Sequence, residues 1–429
     1  MKFKDTKIGI VPSHWEVQPI KEITEIVTDY VANGSFASLA ENVTYKDEED
    51  VAVLIRLVDY NNDFQGKFVF IDEHAYQFLG KSKLFGGEII ISNVGANVGT
   101  VFRCPQLAYK MSLAPNSVMV KFKGNDDFYF HWLRGFNGQQ MLKSIVTGSA
   151  QPKFNKTNFK EMLAPVPPIG EQNKIASILN TIDEKIEINK KINNNLSKQI
   201  KTICTAWLSD YAPFGGVLPD DWSKTSLSSI ADFVSGYSYK GAELTESNIA
   251  MATIKNFDRK GGFKLDGYKE IVPSGKLKDT QHAELFDTLV AHTDLTQNAE
   301  VIGNAEPVMS KSGYSDIVFS MDLVKVIPKN KHISKFLIAA ILQDKKFKAH
   351  CLGYVNGTTV LHLSKKALSE YQLYLPNELS ALKPLDELVT ALYQQISANI
   401  EEITKLEALR DAILPKLMSG ELDVSDIDL

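Results

Sequence analysis

The stretch Gly9-Ile10-Val11-Pro12-Ser13-His14-Trp15 returns 207 residues later as Gly216-Val217-Leu218-Pro219-Asp220-Asp221-Trp222, with glycine, proline and tryptophan at the same spacing. At that offset Ile20, Ile23, Val27 and Tyr30 are echoed by Leu227, Ile230, Val234 and Tyr237. Farther along, Arg56-Leu57-Val58-Asp59-Tyr60 is matched by Thr253-Ile254-Lys255-Asn256-Phe257. Glu88–Ser92 is matched by Asp287–Ala291. Gly148-Ser149 and Val166-Pro167 come back as Gly357-Thr358 and Leu375-Pro376, both at an offset of 209. Each match is short. Their common order identifies an internal duplication with small loop insertions.

Inside each copy, short β-rich runs alternate with turn residues. They are Val51–Val58, Lys67–Ile71, Glu88–Ser92 and Ser117–Phe122 in the first, and Ala250–Ile254, Thr288–Ala291 and Asp322–Pro328 in the second. Helical patterns intervene at Phe128–Gly135 and Ser334–Lys346. Each copy therefore reads as an α+β domain. Each then runs into a long helical pattern. After Pro167-Pro168, Ile175, Ile178, Ile182, Asn189, Ile192, Leu196 and Ile203 fall near a 3-4 spacing, and after Pro384 so do Leu385, Leu388, Leu392, Asn399, Ile403, Leu406, Ile413 and Leu417. An apolar stripe of this period buries itself against another helix, and two such helices in one chain most simply pair with each other. Asn189 and Asn399 interrupt the stripe at equivalent places, where a polar residue fixes register or meets a partner protein. About 38 residues make a rod of roughly 57 Å.

The expected fold class is thus α+β. Two duplicated domains are separated by an antiparallel pair of long coiled-coil helices, with pseudo-twofold symmetry. Parallel pairing would force the connecting chain to travel back the full rod length. The divisions are 1–169 for the first domain, 170–212 for the first spacer helix, 213–383 for the second domain and 384–429 for the second helix with a tail.

The 429 residues are 44% apolar and 23% charged, which excludes collagen-like, disordered and disulfide-scaffold classes. No apolar run approaches the roughly 20 residues of a membrane span. Met1-Lys2-Phe3-Lys4-Asp5 lacks the apolar core of a signal peptide. Cys104, Cys204 and Cys351 lie far apart with no CxxC pair, as expected in a reducing cytoplasm. The net charge of −5 hides an asymmetry: residues 384–429 carry 3 basic and 10 acidic side chains, so the first 383 residues are net +2. Nucleic-acid binding depends on local surface charge, so this total permits it without arguing for it.

Catalytic sets are missing. There is no GxxxxGK[ST], no GxGxxG after a strand and no HExxH, and the eight histidines do not fall at metal-ligand spacing. Gly95-Ala96-Asn97-Val98-Gly99 reads as a β-turn rather than a phosphate cradle. Val166-Pro167-Pro168-Ile169 has two prolines but neither the amide nor the aromatic of an amino-methyltransferase motif. Pro219-Asp220 with the distant Asp258-Arg259-Lys260 faintly resembles a nuclease pattern, although Pro219 already has a role as the match of Pro12. Two readings stay open for such a duplicated chain: an adaptor for protein or carbohydrate, and a cryptic nuclease.

Four segments carry a resemblance to the DNA-specificity subunit of type I restriction–modification enzymes. They are Ile10–Val17; Pro165-Val166-Pro167-Pro168-Ile169-Gly170-Glu171-Gln172-Asn173-Lys174-Ile175, similar to the family's PPxxEQxxI; Gly148–Asn155, similar to the close of family recognition domains; and Leu409–Leu422. The second helix opens as Lys383-Pro384-Leu385-Asp386-Glu387-Leu388, without the Glu-Gln pair. The resemblance implies two target-recognition domains, each reading half of a split site on double-stranded DNA, with helices that set the gap. It implies docking of two modification (methyltransferase) subunits, and of restriction subunits in the nuclease form. It implies no cofactor, metal or catalytic residue in this chain, since S-adenosylmethionine would bind the partners.

Readout of bases needs Asn, Gln, Arg, Lys or hydroxyl side chains on projecting turns. The candidates are Asn93, Asn97, Gln139, Gln140, Gln151 and Lys153 in the first domain, and Tyr239, Lys240, His292, Thr293, Gln297, Asn356 and Thr358 in the second. The residues expected to pair the helices are Ile175, Ile178, Ile182, Asn189, Leu196, Ile203, Leu388, Leu392, Asn399, Ile403, Leu406 and Ile413.

Overall fold

The strand Ile89–Ser92 is apolar at three successive positions, and it is buried on both faces. Side chains alternate across a strand, so Ile89 and Ile91 join one core with Trp15, Phe128 and Trp132, while Ile90 joins another with Val53, Ile55 and Phe102. In the second copy Thr288–Ala291 does the same, with Val290 in one core and Leu289 and Ala291 in another. These findings come from a computed structural model that describes residues 2–425 and 427.

Around these strands the two copies build the same sheets. The first copy orders Thr24–Asp29, Ser117–Phe122, Ile89–Ser92 and Val101–Arg103, all antiparallel. The second orders Ala231–Ser235, Leu323–Pro328, Thr288–Ala291 and Ala305–Pro307, again antiparallel. A second sheet in each copy holds one parallel pair, Ala52–Ile55 with Lys110–Leu113 and Ile249–Ala252 with Asp316–Phe319. A two-stranded ladder closes each domain on itself: Glu16–Pro19 pairs with Leu163–Val166, and Trp222–Ser226 pairs with Gln372–Pro376. The fold is α+β and duplicated.

Local chemistry moved some expected boundaries. The run Val51–Val58 is a strand only over Ala52–Ile55. It turns into the short helix Leu57–Asn61 because the Asp59 carboxylate accepts the Arg56 backbone N–H at 2.9 Å and holds the Arg56 guanidinium. The helix expected over Ser334–Lys346 ends at Leu342 and restarts at Lys345, where Asp344 accepts the Lys346 N–H at 2.7 Å as a new cap.

The chain forms two units, Met1–Glu184 with Leu406–Leu429, and Lys185–Lys405. The long helices, Ile169–Leu208 and Lys383–Met418, contribute to both. They run antiparallel, because partner numbers fall as numbers rise. In the first unit Arg410 meets Asp183 at 3.0 Å. In the second, Asn189 donates to Glu402 at 2.8 Å and Asn399 donates to Asn193 at 2.7 Å. The buried stripe of the first helix is Ile175, Leu179, Ile182, Ile186, Asn189 and Ile200. Its phase corrects the expected one. Ile192 is exposed, Ile178 and Ile203 are partly buried like Leu196, and Leu179, Ile186 and Ile200 join the buried stripe. On the second helix Leu388 is 44% exposed and is not a pairing residue; Leu385 and Val389 are buried in its place. Leu196, Leu392, Ile403, Leu406 and Ile413 are partly buried along the seam, and Asn399 is buried.

The family-like motifs are explained by contacts within the first unit. Glu171 accepts the Trp15 indole N–H at 2.8 Å and lies 2.7 Å from His14 Nε2. The buried Gln172 side chain donates to the Pro167 carbonyl at 2.8 Å and accepts the Asn125 N–H at 2.9 Å. Gly420 packs on Pro12 and Trp15 so closely that a Cβ there would sit 2.3 Å from Pro12 Cγ. Trp222 sits against Tyr211 and Phe214, the turn past the first long helix, with ring centroids 5.8 and 5.4 Å away. The second helix lacks the Glu-Gln pair and uses Asp386, which takes the Ser334 N–H at 3.3 Å as well as its hydroxyl.

A buried carboxylate ties the second domain to both helices. Glu306 is 5% exposed, accepts the Gly262 N–H and the Gln343 amide, each at 2.7 Å, and Gln343 in turn accepts the Tyr393 hydroxyl at 2.9 Å. Burial raises its pKa to about 7, against the opposing pull of the Gly262 N–H and the Lys201 cation.

Two predictions test this architecture. Ile200→Ala lowers the stability of the second unit by about 2–4 kcal/mol, whereas Leu388→Ala stays within about 0.5 kcal/mol of wild type, read as shifts in urea midpoint. In the unfolded chain Glu306 ionises near the usual 4.5, and in the folded chain only near 7. The wild type therefore loses stability as pH rises through that window. Thermal melts of Glu306→Gln show it gaining on wild type between pH 4.5 and 8; a constant difference contradicts the assignment.

Candidate nucleic-acid interface

In the first domain three segments meet at one corner. The Gly95–Gly99 turn leaves the strand Ile89–Ser92 and folds back, with the Gly99 N–H on the Ser92 carbonyl at 2.8 Å. The hairpin closed by Thr147 and Lys153 joins it: Val94 bridges Lys153, and the Gly95 N–H reaches the Pro152 carbonyl at 2.8 Å. Gly148 takes φ +88°, and a Cβ there would stand 2.9 Å from the Gln151 carbonyl oxygen. From the helix Phe136–Ser144, the Gln139 side-chain amide donates to the Gly99 carbonyl at 3.0 Å and to the Leu133 carbonyl at 2.7 Å.

The corner thus gathers Asn93, Asn97, Gln139, Gln151 and Lys153, with Gln140 exposed on the same helix. Their roles separate. Both Gln139 donors brace the turn, and Asn93 donates to the Phe154 carbonyl at 3.2 Å. Asn97, Gln140, Gln151 and Lys153 are the side chains that face solvent.

The second domain builds the same corner as a small sheet, Thr293–Asp294 with Leu361–Leu363 with Val355–Asn356. The buried Asp294 carboxylate organises the adjoining loop by accepting the N–H groups of Thr296, Val301 and Ile302. Gly357 takes φ +108°, and a Cβ there would lie 2.2 Å from the Val360 carbonyl oxygen. Gln297 crosses to the hairpin, donating to the Thr358 and Thr359 carbonyls. His292, Thr293, Gln297, Asn356 and Thr358 are therefore neighbours; Thr293 is buried, whereas Gln297, Asn356 and Thr358 are exposed. Tyr239 packs instead beside Tyr237, Met251, Ile271 and Val318, and the exposed Lys240 caps a short turn with its N–H on Glu243 at 2.9 Å.

Sequence reasoning named Lys153 but missed Lys156 beside it and both counterparts in the second domain: Lys153 corresponds to His362 and Lys156 to Lys365, both at the offset of 209 already seen in the hairpin glycines. Applying that offset to Lys153 would have found them. Lys156 lies 3.0 Å from Asp29. Burial first, then the Lys365 cation, lowers the His292 pKa to about 4, so His292 is neutral at pH 7. Beside the Asp294 loop a cavity of about 330 Å³ is lined by Lys255, Arg259 and Lys264 together with Asp266, Asp294 and Glu300, and Arg259 lies 3.2 Å from Glu300. The corners thus present amide and hydroxyl groups on turns beside a surface of balanced charge.

Among the described residues no group of three or more His, Cys, Asp or Glu could hold a metal ion, and no helix is long and apolar enough to cross a membrane. The three cysteines are free and buried, which pushes the Cys204 and Cys351 thiols up to about 12.

A family model for the type I restriction modification DNA specificity domain matches residues 12–198. The type I restriction enzyme MjaIX specificity subunit of Methanocaldococcus jannaschii is 23% identical over 99% of this chain and 98% of its own. The MjaVIII specificity subunit of the same organism is 24% identical over 87% and 94%. The crystal structure of a type I restriction–modification system S subunit from M. genitalium shares the fold, with TM-score 0.54 and 17% identity over 94% of this chain and 96% of that one. Residues 12–198 thus match the DNA specificity domain of type I restriction–modification enzymes, and the likeness to type I specificity subunits runs from end to end of the chain.

Proposed function

We propose that this chain selects the DNA sequence on which a type I restriction–modification complex acts, each domain reading one half of a split site. The observation that carries this reading is the twice-built corner: a glycine-closed hairpin locked to a turn, with exposed amides and hydroxyls beside basic side chains. Asn97, Gln140, Gln151, Gln297, Asn356 and Thr358 serve as base readers, since an amide matches the adenine edge in two hydrogen bonds. Lys153 and Lys365 contact phosphates and set register. Gln139 and Asn93 act one step back, by holding the turns.

The antiparallel helices set the distance between half-sites. One turn of duplex is about 34 Å, so half-site spacing answers to the length of whatever joins two readers. Both helices are unbroken, Ile169–Leu208 and Lys383–Met418, and buried asparagines fix their register. Their outer faces leave Ile188, Ile192, Leu388 and Leu409 41–51% exposed, apolar positions that suit docking of two methyltransferase subunits. Those subunits supply S-adenosylmethionine binding and the chemistry, restriction subunits join in the nuclease form, and this chain is non-catalytic.

Comparison of methylomes with and without the gene reveals a split adenine-methylation motif that disappears on deletion. Exchanging residues 1–169 for another recognition domain changes one half of that motif only, and adding one heptad to both helices widens its gap. A gap that stays fixed contradicts the spacing role. Lys153→Ala weakens binding to all sequences and lowers the salt slope by about 1, whereas Gln151→Ala relaxes discrimination at one base by about 1–3 kcal/mol.

A further inference from the structure

The two domains differ beside their corners. In the second, the Tyr237 hydroxyl is enclosed: it donates to Glu243 at 3.1 Å and accepts the Gly275 N–H at 3.0 Å. Its space is filled by Tyr239, Leu244 and Leu277. Tyr30 is the same residue in the first domain, 7% exposed, and the partner of its hydroxyl is the Tyr45 hydroxyl at a long 3.4 Å. Here the filling is absent. A cavity of about 510 Å³ opens between Tyr30, Phe36, Leu39 and Tyr45 on one side and Asn93 and Asn116 on the other.

Three features identify what this cavity takes. Its mouth carries aromatic surface in water, with Phe36 83% and Tyr45 53% exposed, which marks a surface meant to be covered. Its wall continues into the reading corner, because Asn93 and Val94 line it and Val94 bridges Lys153. Its rim holds Asp29 neutralised by Lys156, so a polyanion is not repelled. A flat heterocycle with polar edges satisfies all three: rings to stack on, hydroxyl and amide groups for its edge, and a phosphate chain beside it.

We propose that this cavity receives a nucleobase extruded from the duplex held at the adjoining corner of the first domain. The inference rests on the DNA-reading function above. Extrusion costs a few kcal/mol, and stacking against aromatic side chains offsets it. It gives the first half-site a contact that the second lacks.

The test uses the full chain in complex with its methyltransferase partner on the methylome-defined target. 2-Aminopurine replaces each base of the first half-site in turn. One position other than the methylated adenine changes fluorescence on binding. Ala40→Trp, which fills the cavity from the exposed face of the helix Phe36–Asn42, abolishes that change and weakens binding about tenfold; Phe36→Ala reduces both. The signal at the methylated adenine stays in both variants and reports intact folding and assembly. Sequence-specific binding with no second responsive position, or a response untouched by Ala40→Trp and Phe36→Ala, overturns the proposal and leaves the DNA-reading function standing. Loss of sequence-specific binding in the wild-type complex overturns both.

Discussion

The helix pairing depends on two buried asparagines. Asn189 and Asn399 are 1% and 6% exposed within an otherwise apolar seam, and each amide has a partner on the opposite helix, Glu402 and Asn193. A slip of one heptad would break both of these hydrogen bonds. A buried amide left unsatisfied costs about 1–3 kcal/mol, so the pair favours the observed register. The seam does not stop at helix contacts. Ile175, Leu179 and Leu417 belong to the core that holds Trp15 and Phe128, and Ile200, Leu385, Val389 and Ile396 belong to the core that holds Trp222 and Leu337. Within each unit, helix register and domain seating are therefore one constraint.

The duplication is deeper in the backbone than in the side chains. Sheet order, the parallel pair, the closing ladder and the hairpin glycine all recur, while the chemistry that secures them does not. Gln172 supports the cap of Asp126–Arg134 through the Asn125 N–H. Asp386 performs the equivalent task on the Ser334 N–H at the cap of Lys335–Leu342. Both solve the same problem, an orphan donor at a helix start, with different residues. That is why a motif search finds the first helix opening and not the second.

Much of the architecture was legible. Ser117–Phe122 and Thr288–Ala291 were read at their observed bounds because β-branched runs flanked by turns leave little choice. The seam was read with the correct period but a partly wrong phase. Ile188 and Ile192, four apart, offer an apolar pair beside the real seam, and the real one passes through Asn193, whose polarity hides it. Overrun at Val51–Val58 came from a cap that only Asp59 reveals. At the corners, residue type announced projecting turns but could not divide exposed amides from bracing ones. Gln139 and Gln140 are adjacent and chemically identical, and only packing makes the first a brace.

Modest charge is consistent with a selective reader. Phosphate contacts provide most non-specific affinity, and they do so on every sequence alike. A domain dense in lysine would gain binding and lose discrimination, because the useful quantity is the ratio of specific to non-specific binding. Each corner keeps few cations near its amides: Lys153 with an Asp29-paired Lys156 in one, Lys365 in the other. The acidic residues 384–429, net −7, add nothing to phosphate attraction. On the reading proposed above, affinity is left to the assembled complex and the turns of this chain supply discrimination.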